Sequence, residues 1–138
     1  MKNDHGRRTV LKEIIKLSTL AELRRHILSL AVHARLIRSR AEDFALAVIE
    51  AASNVIRHGG GVGTLTVVQD DQSRLIAEVR DNGPGIPSGV TICLPPAQAT
   101  GGRGLWMARA LTDRMYVRSD NHGTTVGLEM TLDDSKAS

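Results

Sequence analysis

Cysteine and aromatic side chains are nearly missing from this sequence, which has one Cys, one Phe, one Tyr and one Trp in 138 residues. The lone Cys93 excludes an internal disulfide and suits a reducing compartment. No obvious base accompanies it, so it is read as incidental rather than nucleophilic. Three aromatic rings cannot build the platforms on which single-strand binders stack bases. Charge of one sign is scarce too: 18 Lys and Arg stand against 15 Asp and Glu, a net +3 that is too small to argue for nucleic acid. No apolar run approaches the roughly 20 residues that span a bilayer, and the first residues, MKNDHGRR, lack a signal peptide's apolar core. There is no GxxxxGK[ST], which excludes a Walker-type phosphate loop. A soluble, cytoplasmic protein with no direct nucleic-acid or membrane contact is expected.

The organisation that remains is that of one domain. Residues 1 to 8 are polar and read as a disordered N-terminus, 9 to 132 as the folded domain, and 133 to 138 as a flexible tail. Thr9 to Leu17 has the β-branched, alternating character of a strand. Thr19 and Glu22 have capping-box spacing, and Leu20, Leu23, Ile27, Leu30, Ala31 and Ala34 then repeat as one helical stripe. The outward face of that helix carries Arg24, Arg25 and Arg38, which reads as a solvated surface, with a partner-binding face as the alternative. A second amphipathic helix is predicted over Ala41 to Arg57, ended by the glycines at 59 to 61. Strands follow at Gly63 to Gln69 and Arg74 to Arg80, joined by a polar turn and paired antiparallel. Residues 86 to 103 hold three prolines and three glycines with no sustained period, which predicts a long functional loop. A short helix over Gly104 to Thr112 and two closing strands complete the chain.

Two features stand out from this plan. Glu50, Asn54 and His58 are four residues apart, so each lies about 40° round from the last on one face of the second helix. A plain wet stripe would explain them, but Ala51, Ala52 and Ser53 keep the helix slim there, as close approach by a ligand requires. The stretch RDNGPGIPSG, Arg80 to Gly89, puts glycines and prolines behind Asp81 at a strand end. Taken alone it is as good a hairpin turn as a binding loop.

In order, EAASNVIRH, DNGPGI and GGRGLWMARAL resemble the three boxes of the GHKL ATPase superfamily, shared by DNA gyrase, sensor histidine kinases and mismatch-repair ATPases. Glu50 and Asn54 match the N box, Asp81 to Gly85 the first glycine box, and Gly102, Arg103, Gly104 and Leu105 the second. The resemblance implies an α+β fold: a two-layer sandwich of one mixed, mainly antiparallel sheet with three helices on one face. It also implies ATP as the ligand, with Asp81 accepting from the exocyclic amine of adenine. Gly83 and Gly85 would let the backbone pass close to the base, and Ile86 belongs to the same box. Gly102 to Leu105 would present amide groups at a helix N-terminus to phosphates, with Arg103 adding a charged fork. Asn54 would contribute an oxygen to Mg²⁺, and Glu50 would be the general base. Thr124 or Thr125 matches a threonine near the adenine aspartate, and Thr125 is taken as that contact.

Within the superfamily, the chain as given offers no dimerising helix pair with a phospho-accepting histidine and no transducing domain. It resembles the bacterial anti-sigma-factor serine kinases of partner switching. That implies a homodimer that sequesters a sigma factor and phosphorylates a serine of an anti-sigma-antagonist protein. A non-catalytic module on the same fold, acting only by binding protein partners, is the alternative.

Overall fold

The computed structural model describes residues 6–58, 60–70, 73–81, 103–120 and 123–132. Strand β1 (Arg8–Ile15) leads through a single 3₁₀ turn at Leu17–Thr19 into α1 (Leu20–His33). Then come α2 (Arg38–His58), β2 (Gly63–Gln69), β3 (Arg74–Asp81), α3 (Arg103–Leu111), β4 (Arg114–Asp120) and β5 (Gly123–Thr131). The five strands form one sheet in the order β1-β2-β3-β5-β4. Among the described residues every pairing is antiparallel, so the mixed sheet expected from the sequence is corrected to a purely antiparallel one.

Strand alternation sorts side chains between the two faces. Leu65 and Val67 of β2, Leu75, Ala77 and Val79 of β3, and Val126, Leu128 and Met130 of β5 are buried in one core with the inner faces of the helices. From α1 come Leu23, Ile27 and Ala31, from α2 Phe44, Val48, Ala52 and Val55, and from α3 Leu105 and Ala108. The helices therefore cover one face. Among the described residues no helix packs on the other face.

Two local details differ from the sequence-based expectation. Thr19 does not cap α1 with its side chain. Its hydroxyl instead closes the preceding turn, lying 3.1 Å from the Ile14 carbonyl and accepting the Lys16 N–H at 3.1 Å. The turn between α1 and α2 has Schellman geometry: Leu36 N–H donates to Ala31 (3.1 Å) and Arg35 N–H to Val32 (3.0 Å). Arg35 takes the left-handed φ of 79° that glycine usually fills, and Leu36 plugs into the core behind it. Helix α2 starts three residues earlier than predicted, because Arg38 pairs with Glu42 one turn on (3.0 Å) and Arg40 reaches Asp113 (2.9 Å).

Candidate functional site

Asp81 is the last residue of β3 and has the parity of Val79 and Ala77, so its carboxylate turns toward the helices. It is 9% exposed. Its Oδ1 accepts the backbone N–H of Thr124 at 3.1 Å. An amide donor fixes the orientation of a carboxylate more firmly than solvent does.

Two neighbours complete that corner. Gly63 pairs with Asp81 across β2 and β3. A Cβ at Gly63 would stand 2.4 Å from the Arg80 carbonyl oxygen and 2.9 Å from Val55 Cγ1, so only glycine allows α2 to lie this close to the sheet beside Asp81. On the other side, Thr124 is 5% exposed and its hydroxyl shares a hydrogen bond with Ser119 Oγ (3.1 Å). Neither composition nor motif singles out Gly63; its signal in the sequence is a glycine opening a strand just after the helix it must approach.

The threonine assignment is corrected here. Thr125 lies on the opposite face of the sheet from Asp81, where its hydroxyl accepts from Arg80 Nη1 at 3.2 Å. Thr124 is the threonine beside the aspartate, since it shares strand parity with the buried Val126, Leu128 and Met130.

The polar stripe of α2 runs past this corner. Glu50 and Asn54 are half-buried and His58 is exposed. Asn54 Oδ1 accepts from Arg57 Nη2 at 3.3 Å. Among the described residues Glu50 makes no hydrogen bond or ion pair, which leaves its carboxylate open to an incoming group. Helix α3 packs on α2, and the Arg40–Asp113 pair joins the start of α2 to the residues just after α3. The two helices therefore run in opposite directions. Nine residues of α3 rise about 13 Å, so its first turn lies away from the start of α2, toward the half that carries Glu50 and Asn54. Arg103, Gly104 and Leu105 form that first turn, whose amides have no partner within the helix. The remaining predicted contacts, Gly83, Gly85, Ile86 and Gly102, lie outside the described residues, as does most of the loop at 86–103.

A buried, amide-anchored carboxylate thus stands at a strand end, with a helix carrying Glu50 and Asn54 beside it and α3 packed on that helix. The histidine kinase-like ATPase domain matches residues 15–130, and the chain belongs to that family. A search of curated proteins finds no match. Among solved structures, the fold is shared with the RsbU and RsbW domains of Rv1364c from Mycobacterium tuberculosis (TM-score 0.64, 18% identity, covering 89% of this chain and 33% of that one). It is also shared with the histidine kinase domain of the blue-light activated histidine kinase of Erythrobacter litoralis EL346 (TM-score 0.61, 21% identity, 87% and 62%). A third similar structure is the Acinetobacter baumannii histidine kinase AdeS (TM-score 0.53, 15% identity, 89% and 68%). The chain thus spans about one third and three fifths of the first two proteins' lengths. Among the described residues no helix is long and apolar enough to cross a membrane, and no cluster of His, Cys, Asp and Glu could hold a metal by itself.

Proposed function

We propose that this chain is an ATP-dependent serine kinase of the partner-switching kind, which phosphorylates an anti-sigma-antagonist protein and sequesters a sigma factor, acting as a homodimer in the cytoplasm. The observation that carries the nucleotide half is Asp81, buried and held by the Thr124 amide beside the close approach of α2 at Gly63. Such a carboxylate can accept from the exocyclic amine of adenine, a donor that guanine lacks at that position. Gly83, Gly85 and Ile86 would pass beneath the base, and Gly102 to Leu105 would meet the phosphates at the start of α3.

The donor set suits Mg²⁺, which takes oxygen ligands and keeps several waters, so one side-chain carbonyl from Asn54 with phosphate oxygens is enough. When bound, the metal neutralises charge on the phosphates. Asn54 Oδ1 accepts from Arg57 at 3.3 Å, and its second lone pair would serve the metal. Glu50, half-buried and unpaired among the described residues, takes the proton of the attacking serine hydroxyl. The serine oxygen then bonds to the γ-phosphorus while the bond to the bridging oxygen breaks and ADP leaves.

Family membership supports ATP use and kinase-like chemistry, and the fold shared with RsbW-containing Rv1364c favours a protein-regulating role. The test is transfer of labelled γ-phosphate from ATP to candidate antagonist proteins of the source genome. Label on a serine of one of them is expected. ATP binding without transfer to any of them would leave a binding module that works without catalysis.

A further inference from the structure

The open face of the sheet is built in rows. Register places Ile14, Thr64, Arg80, Thr125 and Arg118 side by side across β1, β2, β3, β5 and β4. The next row is Lys12, Thr66, Glu78, Gly127 and Tyr116. Lys12, Thr64, Thr66, Glu78, Arg80, Arg118 and Thr125 of these rows line a shallow groove of about 300 Å³. Lys12, Arg80 and Arg118 stand on every second strand, about 10 Å apart from strand spacing alone, with threonine hydroxyls between them.

Most of what could neutralise this groove is already committed. Glu78 accepts the Tyr116 hydroxyl at 2.6 Å and has Arg118 Nη2 at 3.9 Å. Farther down the same face Glu129 pairs with Arg74 (3.5 Å). Arg80 donates to the neutral Thr125, and among the described residues Lys12 and Arg80 make no ion pair. Three cations thus face one shared carboxylate, and the Arg118 side chain is 71% exposed.

The chemistry of the face selects its occupant. A second copy laid face to face would bring these cations against their own kind. A nucleic acid would want rings to stack on, but Tyr116 lies flat over Gly127, where a Cβ would meet the ring at 2.0 Å, and Arg118 covers it at 5.5 Å from the centroid. Carboxylates on a polypeptide meet both the charges and the hydroxyls, which can donate to them. We propose that the open sheet face, through Lys12, Arg80 and Arg118, docks an acidic segment of a protein partner. The surface lies on the far side of the sheet from Asp81, so the inference stands whether or not the chain transfers phosphate.

A short fluorescein-labelled poly-glutamate peptide is the probe, titrated with the full chain at low and physiological salt while amide shifts are followed by NMR. Two variants with equal charge loss are compared: Lys12→Gln/Arg80→Gln/Arg118→Gln on the sheet, and Arg24→Gln/Arg25→Gln/Arg38→Gln on the helix side. Shifts over the open faces of β1, β3, β4 and β5 are expected, with binding weakened roughly tenfold in the sheet variant and little changed in the helix variant. Equal weakening in both variants, shifts confined to α1, or no binding even at low salt would overturn the proposal. So would displacement of the peptide by a more tightly bound single-stranded oligonucleotide, or concentration-dependent shifts of this face without peptide, which would make the occupant a second copy. A circular dichroism spectrum unlike wild type disqualifies the triple variant. The single Lys12→Gln, at an exposed edge-strand position, then decides by the same shifts and affinity.

Discussion

Replacing Asp81 by Asn changes one atom at the centre of the proposed adenine contact. The variant can still offer a carbonyl oxygen to the Thr124 N–H, which the native carboxylate holds at 3.1 Å, and the site is too buried for water to compensate a reversed amide. That contact therefore orients the new group, and the amide NH₂ takes the place of the second carboxylate oxygen. Against adenine this sets donor against donor. The loss is that of one charge-assisted hydrogen bond, roughly 1.5 to 3 kcal/mol, or about tenfold to over a hundredfold in ATP affinity. Guanine carries an acceptor where adenine has its amine, so GTP should lose less or gain, and the ATP to GTP preference should fall. Calorimetric titration of both nucleotides into wild type and Asp81→Asn reads this directly. An unchanged dissociation constant for ATP together with an unchanged preference would refute adenine recognition by Asp81.

Other consequences concern the scaffold. Gly63→Ala drives a Cβ to 2.4 Å from the Arg80 carbonyl, so overpacking should cost roughly 1 to 3 kcal/mol and lower the melting temperature by about 4 to 12 °C, read by calorimetry; an unchanged Tm would deny the close approach. Tyr116 is the single tyrosine, and burial with the bond to Glu78 pushes its phenol up to about 12 from 10.0, so ultraviolet titration should find a midpoint near 12. Its raised value contributes stability that is complete below pH 10 and lost as pH rises through 12, a loss that Tyr116→Phe should abolish in alkaline urea melts. Burial alone would raise the Asp113 carboxyl, but the Thr131 amide and Arg40 outweigh it and hold it below its ordinary 3.8. Its contribution is therefore present above that value and lost as pH falls through the lower native one, and Asp113→Asn should lower stability at neutral pH while flattening its fall below about pH 4 in urea melts.

Much of the architecture was legible because it is periodic. Leu23, Ile27 and Ala31 on α1 and Leu65 with Val67 on β2 announce their burial by spacing alone, and the strand predicted over Gly63 to Gln69 has those bounds in the structure. What is non-local was not legible. Nothing in the chain says that β5 inserts between β3 and β4, since that pairing joins residues far apart in sequence, Arg80 with Thr125 and Arg74 with Thr131. The threonine was misplaced for a subtler reason. A period of two leaves the phase open until a core is known, and Val126, Leu128 and Met130 supply that phase for Thr124 only once they are seen to face the helices. Thr19 and Glu22 had capping spacing, but spacing cannot tell that the Thr19 hydroxyl is already spent on the turn before the helix. The polar stripe of α2 was read from the helical period, and its half-buried Glu50 and Asn54 with an exposed His58 follow from where that helix leaves the core.

The most direct test of the proposed kinase activity separates binding from transfer. Glu50→Gln keeps the size of the side chain and most of its hydrogen bonding but cannot take the serine proton. Transfer of γ-phosphate to the antagonist should fall by about 10² to 10⁴ while calorimetric ATP affinity barely moves, because nucleotide binding rests on Asp81 and the start of α3. Equal transfer by wild type and Glu50→Gln, or loss of transfer and ATP affinity together, would contradict a general base at Glu50.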